Sequence, residues 1–462
     1  MRNLFVTVLL LTLVLFGYCG SNKPKYVFFF IGDGMSFAQL ESANMFQKAV
    51  YGDSNALLLS KLPVKSVIAT NAYNHYITCS SAAGTALATG YKTNLGAVGI
   101  SPDGKTSYES IAEYGQSQGL KVGILTSVFI NHATPACFYA NVFGRDDYYQ
   151  IGKQLVSSGF NYFAGGIIKN ANEAGKQDIY ELARQSKYKV VETIEEFKKL
   201  KNKGENVIAG SVEMNGGENI CPYIDRGNNI ISLADYLKKG IELLDNDKGF
   251  FIMCEGGQID WACHANDLAK SIGEVVDFDN TIKIAMEFYN QHPDETLIVI
   301  TSDHETGGLS LGSNRMAYEM KPEQMKYQTL SNDAFNARVI KSIKNLSSKV
   351  TFEQVMDSVK KYFELGGKVT IDESDKLRLK QAYRAGFETE KSNSEDYMYE
   401  KYDPITTTAS RILAERAGFG WTSYSHTAMP VPLRAIGVGS ELFDNLDDNT
   451  QLAPVFRQLM KR

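Results

Sequence analysis

Positive charge is not in excess in this 462-residue chain: 48 lysines and arginines face 53 aspartates and glutamates, a net charge of −5. Nothing electrostatic therefore points to nucleic acid as a partner. Cysteine is scarce and unpatterned. Apart from Cys19, the residues Cys79, Cys137, Cys221, Cys254 and Cys263 are odd in number and form no CxxC pair, which argues against a disulfide framework or a zinc ribbon. Beyond residue 20 no apolar run is long enough to span a bilayer. Eleven prolines, 39 glycines and 44% hydrophobic residues exclude collagen-like and disordered chains. No internal repeat is evident.

Residues 1–20 read as an export signal. Arg2 is the only charge there, and Leu4 to Phe16 is almost wholly apolar before Gly17-Tyr18-Cys19-Gly20. The mature protein is expected in the periplasm or outside the cell. Lipidation of Cys19 is the weaker reading, because Tyr18 stands where such signals carry a small residue; cleavage nearby is the stronger one.

The remainder, 21–462, is read as one α/β domain with a largely parallel central sheet sandwiched by helices. Short apolar runs end in turn or polar residues, as fully buried parallel strands do. Tyr26–Ile31 runs into Gly32-Asp33-Gly34, and Val122–Leu125 precedes Asn131 to Pro135. Phe250–Cys254 runs into Glu255-Gly256-Gly257, and Leu297–Thr301 into Ser302-Asp303-His304. Between them Val275, Phe278, Ile282 and Ala285 form a helical stripe. Insertions are expected at about 160–245 and, rich in helix, at about 314–415. In the latter, Thr351-Phe352-Glu353-Gln354 is a capping box.

Ligands of such sheets sit beyond the carboxyl ends of the strands. Asp33, Thr134, Glu255, Asp303 and His304 all fall there. Asp260 and His264 lie four apart, on one face of a helical turn, a spacing that can hold one metal ion. Each signal alone is weak: Asp33 in Gly-Asp-Gly reads equally well as a turn residue. Three strand ends carrying ligand-type side chains at one edge shift the balance toward a polynuclear metal site. Ser80 opens the small-residue helix Ser80-Ser81-Ala82-Ala83-Gly84, where the dipole and free N–H groups favour an oxyanion. On its own this serine reads as a cap; beside metal ions it becomes a nucleophile.

From Tyr26 to about Gly439 the sequence resembles the alkaline phosphatases. Gly32-Asp33-Gly34-Met35, Thr78-Cys79-Ser80-Ser81-Ala82, His132-Ala133-Thr134-Pro135 with Arg145, Glu255 to Asp260 with His264, Ser302-Asp303-His304 and a lone His426 occur in that family's order. The resemblance implies hydrolysis of phosphomonoesters of broad specificity through a covalent phosphoserine on Ser80. It implies two zinc ions about 4 Å apart, one held by Asp260, His264 and His426, the other by Asp33, Asp303, His304 and Ser80. A third ion, magnesium, would be shared by Asp33, Thr134 and Glu255. Arg145 would grip two phosphate oxygens, with His132 and Trp261 at the substrate's edge. A homodimer is a further expectation of the resemblance.

The chain departs from the family's pattern at three positions. Cys79 replaces the aspartate that tethers the arginine, which would leave Arg145 less constrained. His132 and Trp261 border the third ion, where imidazole would favour zinc over magnesium or alter the water network. Two other readings compete. A sulfatase needs a cysteine or serine two before a proline and four before an arginine, and Cys79 is followed by Ser81 and Ala83; diesterases lack the Thr134–Glu255 pair. A non-catalytic binder would need neither Ser80 nor Arg145.

Overall fold

The computed structural model describes residues 23–346, 350–388 and 402–462. The proposed signal and Cys19 lie outside these residues, as does most of the polar, tyrosine-rich tract from Glu388 to Asp403. Among the described residues no helix is long and apolar enough to cross a membrane, and the five cysteines Cys79, Cys137, Cys221, Cys254 and Cys263 are all free thiols.

Among the described residues thirteen strands form three sheets. In chain order they are β1 (Tyr26–Ile31), β2 (Val64–Ile68), β3 (Lys121–Thr126), β4 (Tyr162–Ala164), β5 (Tyr188–Val191), β6 (Asn206–Ala209), β7 (Phe250–Glu255), β8 (Thr296–Thr301), β9 (Glu305–Thr306), β10 (Leu309–Leu311), β11 (Phe419–Trp421), β12 (His426–Thr427) and β13 (Val431–Gly437). Nine make one sheet, ordered β2-β13-β8-β1-β7-β3-β4-β6-β5. In this sheet β13 runs opposite to the other eight strands, antiparallel to both β2 and β8. The segment 160–245 supplies β4, β5 and β6 and so extends this sheet at one edge.

The strand sequence explains the layering. In β1 every side chain is buried, with Phe28 and Phe30 packing into one core and Val27, Phe29 and Ile31 into the other. A strand apolar on both faces needs a helical layer on each side. Helices Phe37–Tyr51, Leu233–Leu244, Leu268–Gln291 and Pro404–Ala417 cover the first face. Helices Ser80–Thr89, Tyr148–Ser157 and Leu452–Met460 cover the second. The stripe Val275, Phe278, Ile282 and Ala285 is fully buried in the long helix. Thr351 caps the helix Phe352–Phe363 in the 314–415 segment, whose Val355, Val359 and Phe363 join the first core.

The central order β8-β1-β7-β3 matters for function. In register, Ile31 lies beside both Glu255 and Thr301, and Thr126 beside Glu255. The four strands therefore end at one level, and the loops that follow them converge.

Phe28 sits among Phe30, Phe250 and Phe288, with ring centroids 6.2, 5.2 and 5.8 Å away. Phe28→Ala should lower stability by about 3–5 kcal/mol, read as a fall in the thermal unfolding midpoint. An unchanged midpoint would mean that this core collapses around the cavity.

Candidate active site

Asp33 follows β1 in a turn that only glycine allows. Gly34 has φ +71°, and a Cβ there would lie 2.9 Å from the Asp260 Cα. The Gly34 N–H donates to Asp303 Oδ1 (3.2 Å) and the Met35 N–H to Ser302 Oγ (3.1 Å), locking the β1 turn to the loop after β8. Asp33, Asp303 and His304, all fully buried, meet there: His304 Nε2 stands 3.5 Å from Asp33 Oδ1 and 3.2 Å from Asp303 Oδ2. Ser80, at the first turn of its ten-residue helix, places Oγ 3.4 Å from the same nitrogen.

A second cluster adjoins the first. Asp260 and His264 project from the helix Gln258–His264 with Oδ2 and Nε2 3.3 Å apart. His426, on β12, is placed by antiparallel pairing with β9, where it faces Thr306. Its Nε2 lies 3.5 Å from Asp260 Oδ1 and 3.1 Å from His264 Nε2. The His304 and His426 rings stack with centroids 3.6 Å apart. Orientation comes from the far side of each ring. His264 Nδ1–H donates to the Tyr424 carbonyl (2.5 Å) and His426 Nδ1–H to that of Thr78 (2.9 Å). His304 Nδ1 meets Thr306 Oγ1 (3.3 Å), whose hydroxyl donates to Asp260 (2.5 Å). With each Nδ1 engaged, three Nε2 atoms converge on the carboxylates, the arrangement that fixes imidazole as a metal ligand.

The third group is Asp33, His132 and Glu255, whose ligand-type atoms lie within 4.8 Å of one another. Thr134 Oγ1 is 3.5 Å from Asp33 Oδ2, and Thr126, at the end of β3, donates a short hydrogen bond to Glu255. His132 thus lies inside this group, and its Nε2 contacts the Arg145 guanidinium at 3.2 Å. Cys79 does not reach that guanidinium by any hydrogen bond described. Its Sγ instead accepts the Gly96 N–H (3.3 Å), and the Gly96 carbonyl accepts the Arg145 N–H (2.8 Å). His75 is exposed and His292 packs on Tyr26 and Phe288, away from these groups.

The donor set fits divalent cations. Asp33 Oδ1, Asp303 Oδ2, Glu255 Oε1 and His132 Nδ1 are buried with no hydrogen-bond partner, a costly condition that a cation relieves. Imidazole with carboxylate suits zinc, and the oxygen-rich third group suits magnesium or, through His132, zinc. Titration tells the same story. Burial, reinforced by Asp260 and Glu255, pushes Asp303 up to about 8. Burial likewise pushes Glu255 up to about 7, and Asp33 well above the carboxylate range with help from Asp303. Against burial, the Asp260 charge raises His264 to about 9, while His264 and His426 hold Asp260 well below its usual value. Burial and then Arg145 lower His132 to about 3, so it is neutral; burial lowers His304 and His426 as well.

A cavity of ≈ 270 Å³ opens onto Ser80, Arg145, Asp260, His264 and His426. Trp261 forms part of its wall and is edge-on to both His132 and Phe129, 5.8 Å from each. Two further lining residues, Asp333 and Tyr402, come from the 314–415 segment. Nothing local in the sequence marks them; a chemistry-bearing side chain within a helical insertion carries no motif. A larger groove of ≈ 850 Å³, beside Phe46, Tyr223 and Met325, contains none of the ligating groups.

Comparison with known proteins agrees with this geometry. The family model described as Alkaline phosphatase matches residues 24–461. Alkaline phosphatase 4 of Bacillus subtilis (strain 168) is 32% identical over 396 residues, covering 84% of this chain and 77% of that protein. The repressible alkaline phosphatase of Saccharomyces cerevisiae is 26% identical over 474 residues, 93% and 79% of the two chains. Among solved structures, the cold-active alkaline phosphatase of a psychrophilic Shewanella superposes with a TM-score of 0.78 at 24% identity, covering 95% of this chain and all of that one. The Thermus thermophilus alkaline phosphatase gives 0.77 at 24% identity, with 96% and 94% covered. At this identity the structural likeness speaks to the fold.

The titrations fix a sign for stability without metal. Between about pH 6.5 and 8 the folded chain keeps protons on Asp303, Glu255 and His264 that the unfolded chain has released. The depressed histidines act in the opposite sense only below about 6.5. In chelator, stability should therefore fall as pH rises through this window, by at most about 1.4 kcal/mol per pH unit for each proton, and a divalent cation should flatten the slope. A thermal midpoint in chelator that is flat or rises from pH 6.5 to 8 would contradict this account.

Proposed function

Because the chain belongs to the alkaline phosphatase family, and is as such a phosphomonoester hydrolase, we propose that it works through a covalent phosphoserine on Ser80 with metal ions held by the three groups. The observation that carries this reading is the approach of Ser80 Oγ to His304 within a cluster of partnerless buried carboxylate oxygens.

Asp260, His264 and His426 would hold one zinc; Asp33, Asp303, His304 and Ser80 Oγ a second. Asp33, Thr134 and Glu255 would hold the third ion, magnesium, with His132 opening that site to zinc as well. When bound, such ions lower the pKa of coordinated oxygen and stabilise charge on entering and leaving oxygens. The chain's own groups do the positioning. Arg145 offers a planar fork to two phosphoryl oxygens, and its buried guanidinium stays fully charged. The N-terminus of the Ser80–Thr89 helix adds its partial positive charge.

Chemically, Ser80 Oγ attacks phosphorus as the bond to the ester oxygen breaks, and the alcohol leaves with a proton. Water then attacks the phosphoserine, the Ser80 Oγ–P bond breaks, and inorganic phosphate is released. The transition states spread charge over the phosphoryl oxygens, so positioning and electrostatics supply most of the acceleration. Export to the periplasm or beyond rests on the pattern of residues 1–20 alone.

The test is direct. Ser80→Ala should abolish phosphoserine trapping and lower aryl phosphomonoester turnover by at least about 100-fold, while the purified chain carries two zinc ions and a third divalent ion. Wild-type-like turnover in the variant would remove the covalent mechanism, and a single bound ion would overturn the ligand allocation.

Cys79 generates its own expectation. The thiol braces Arg145 only through the Gly96 backbone, whereas a carboxylate there could bond the guanidinium itself. Cys79→Asp should therefore lower the inhibition constant for inorganic phosphate, and an unchanged constant would show that His132 already supplies the tether.

A further inference from the structure

The two nitrogens of His304 make different demands on their surroundings. Under the proposed function, on which the following rests, Nε2 faces a zinc ion together with Asp33, Asp303 and Ser80. A neutral imidazole that offers a bare Nε2 to a metal must carry its proton on Nδ1. His304 is fully buried, so that N–H needs an acceptor within the protein or it is left unpaired at a cost. Among the described residues its hydrogen-bond partner is Thr306 Oγ1, 3.3 Å away.

Counting protons fixes the direction of this contact. Thr306 has one hydroxyl hydrogen, and its oxygen stands 2.5 Å from Asp260 Oδ1. A carboxylate only accepts, so the hydroxyl donates to Asp260 and keeps its lone pairs for the His304 Nδ1–H. Two hydrogen bonds thus run in series from His304 through Thr306 to Asp260, joining a ligand of one proposed zinc to a ligand of the other. The reverse order is closed. A hydroxyl turned toward His304 would leave Asp260 Oδ1 facing a lone pair and would put the imidazole proton on Nε2, the metal side.

Thr306 is itself held from several directions. It is fully buried, its N–H donates to the Gly34 carbonyl (3.3 Å), and its own carbonyl accepts from Gln39 Nε2 (2.9 Å). On β9 it pairs with His426, a third proposed ligand. Gly34 leaves room for the hydroxyl, since a Cβ there would stand 2.9 Å from Thr306 Oγ1. Packing accounts for the methyl group and the backbone; only the two ligand contacts account for the hydroxyl.

We infer that Thr306 is a positioning residue: its hydroxyl selects the form of His304 protonated on Nδ1, keeps Nε2 bare toward the metal, and ties Asp260 to the same task. The second zinc site, which includes the nucleophile Ser80, is thereby organised before an ion arrives. A threonine two residues after Asp303-His304 carries no motif, and its role follows only from what the fold sets beside it.

The experiment follows nitrogen-15-labelled histidine by long-range proton–nitrogen spectra and measures zinc affinity by chelator competition. It uses the wild type, Thr306→Val and Thr306→Ser, and the resonances that move at each zinc equivalent identify the site being filled. Metal-free wild type should show His304 protonated on Nδ1. Thr306→Val should shift that proton to Nε2 and weaken zinc at the His304 site by about 10–100-fold. Thr306→Ser, which restores the hydroxyl without the methyl, should return affinity to within about threefold of wild type. Wild-type His304 protonated on Nε2 would overturn the inference without any variant having to fold. So would a valine variant that binds zinc at both sites within about twofold of wild type, or a serine variant as weak as the valine one. Each of these leaves the phosphatase mechanism standing. A wild type that binds no zinc would instead remove the proposed function and this inference with it.

Discussion

Four carboxylates, Asp33, Glu255, Asp260 and Asp303, are buried together beyond the ends of adjacent strands. They cannot all be ionised without concentrated positive charge among them, because burial and mutual repulsion oppose it together. The raised titrations of Asp33, Glu255 and Asp303, and the partnerless oxygens they present, are two expressions of that constraint. In the chain alone, protons satisfy it in part. Divalent cations satisfy it better, and bring the Lewis acidity that phosphoryl transfer uses.

Imidazole placement follows from the same logic. A histidine is oriented as a ligand by the partner of its other nitrogen, and here the partners are the Tyr424 and Thr78 carbonyls and the Thr306 hydroxyl. The small β9–β12 sheet then does more than close a loop. It carries Thr306 and His426 as direct partners, so that one pairing aligns the ring and the hydroxyl that links His304 to Asp260.

The surroundings of Arg145 differ from what a carboxylate before Ser80 would give. His132, neutral and buried, touches the Arg145 guanidinium and also belongs to the third ligand group. The arginine's position is thereby tied to whatever occupies that group. Meanwhile the helical segment 314–415 reaches the cavity through Asp333 and Tyr402, so that one wall comes from an element separate from the strands that position the candidate ligands.

The sequence by itself determined the strands and most of the candidate ligands. Runs such as Tyr26–Ile31 and Leu297–Thr301 are apolar on both faces, a pattern with few solutions other than a covered parallel sheet, and Asp33, Glu255 and Asp303 follow such runs closely. Asp260 and His264 were legible because helix geometry is local. Tertiary structure alone decided the rest: that β8, β1, β7 and β3 are neighbours ending at one level, that 160–245 extends the same sheet, that His426 meets Thr306, and that His132 bridges Arg145 and Glu255's group. It alone brought Asp333 and Tyr402 to the cavity. The physical reason is common to these cases. Each depends on contacts between residues distant in the chain, whose side chains carry no periodicity or spacing until packing brings them together.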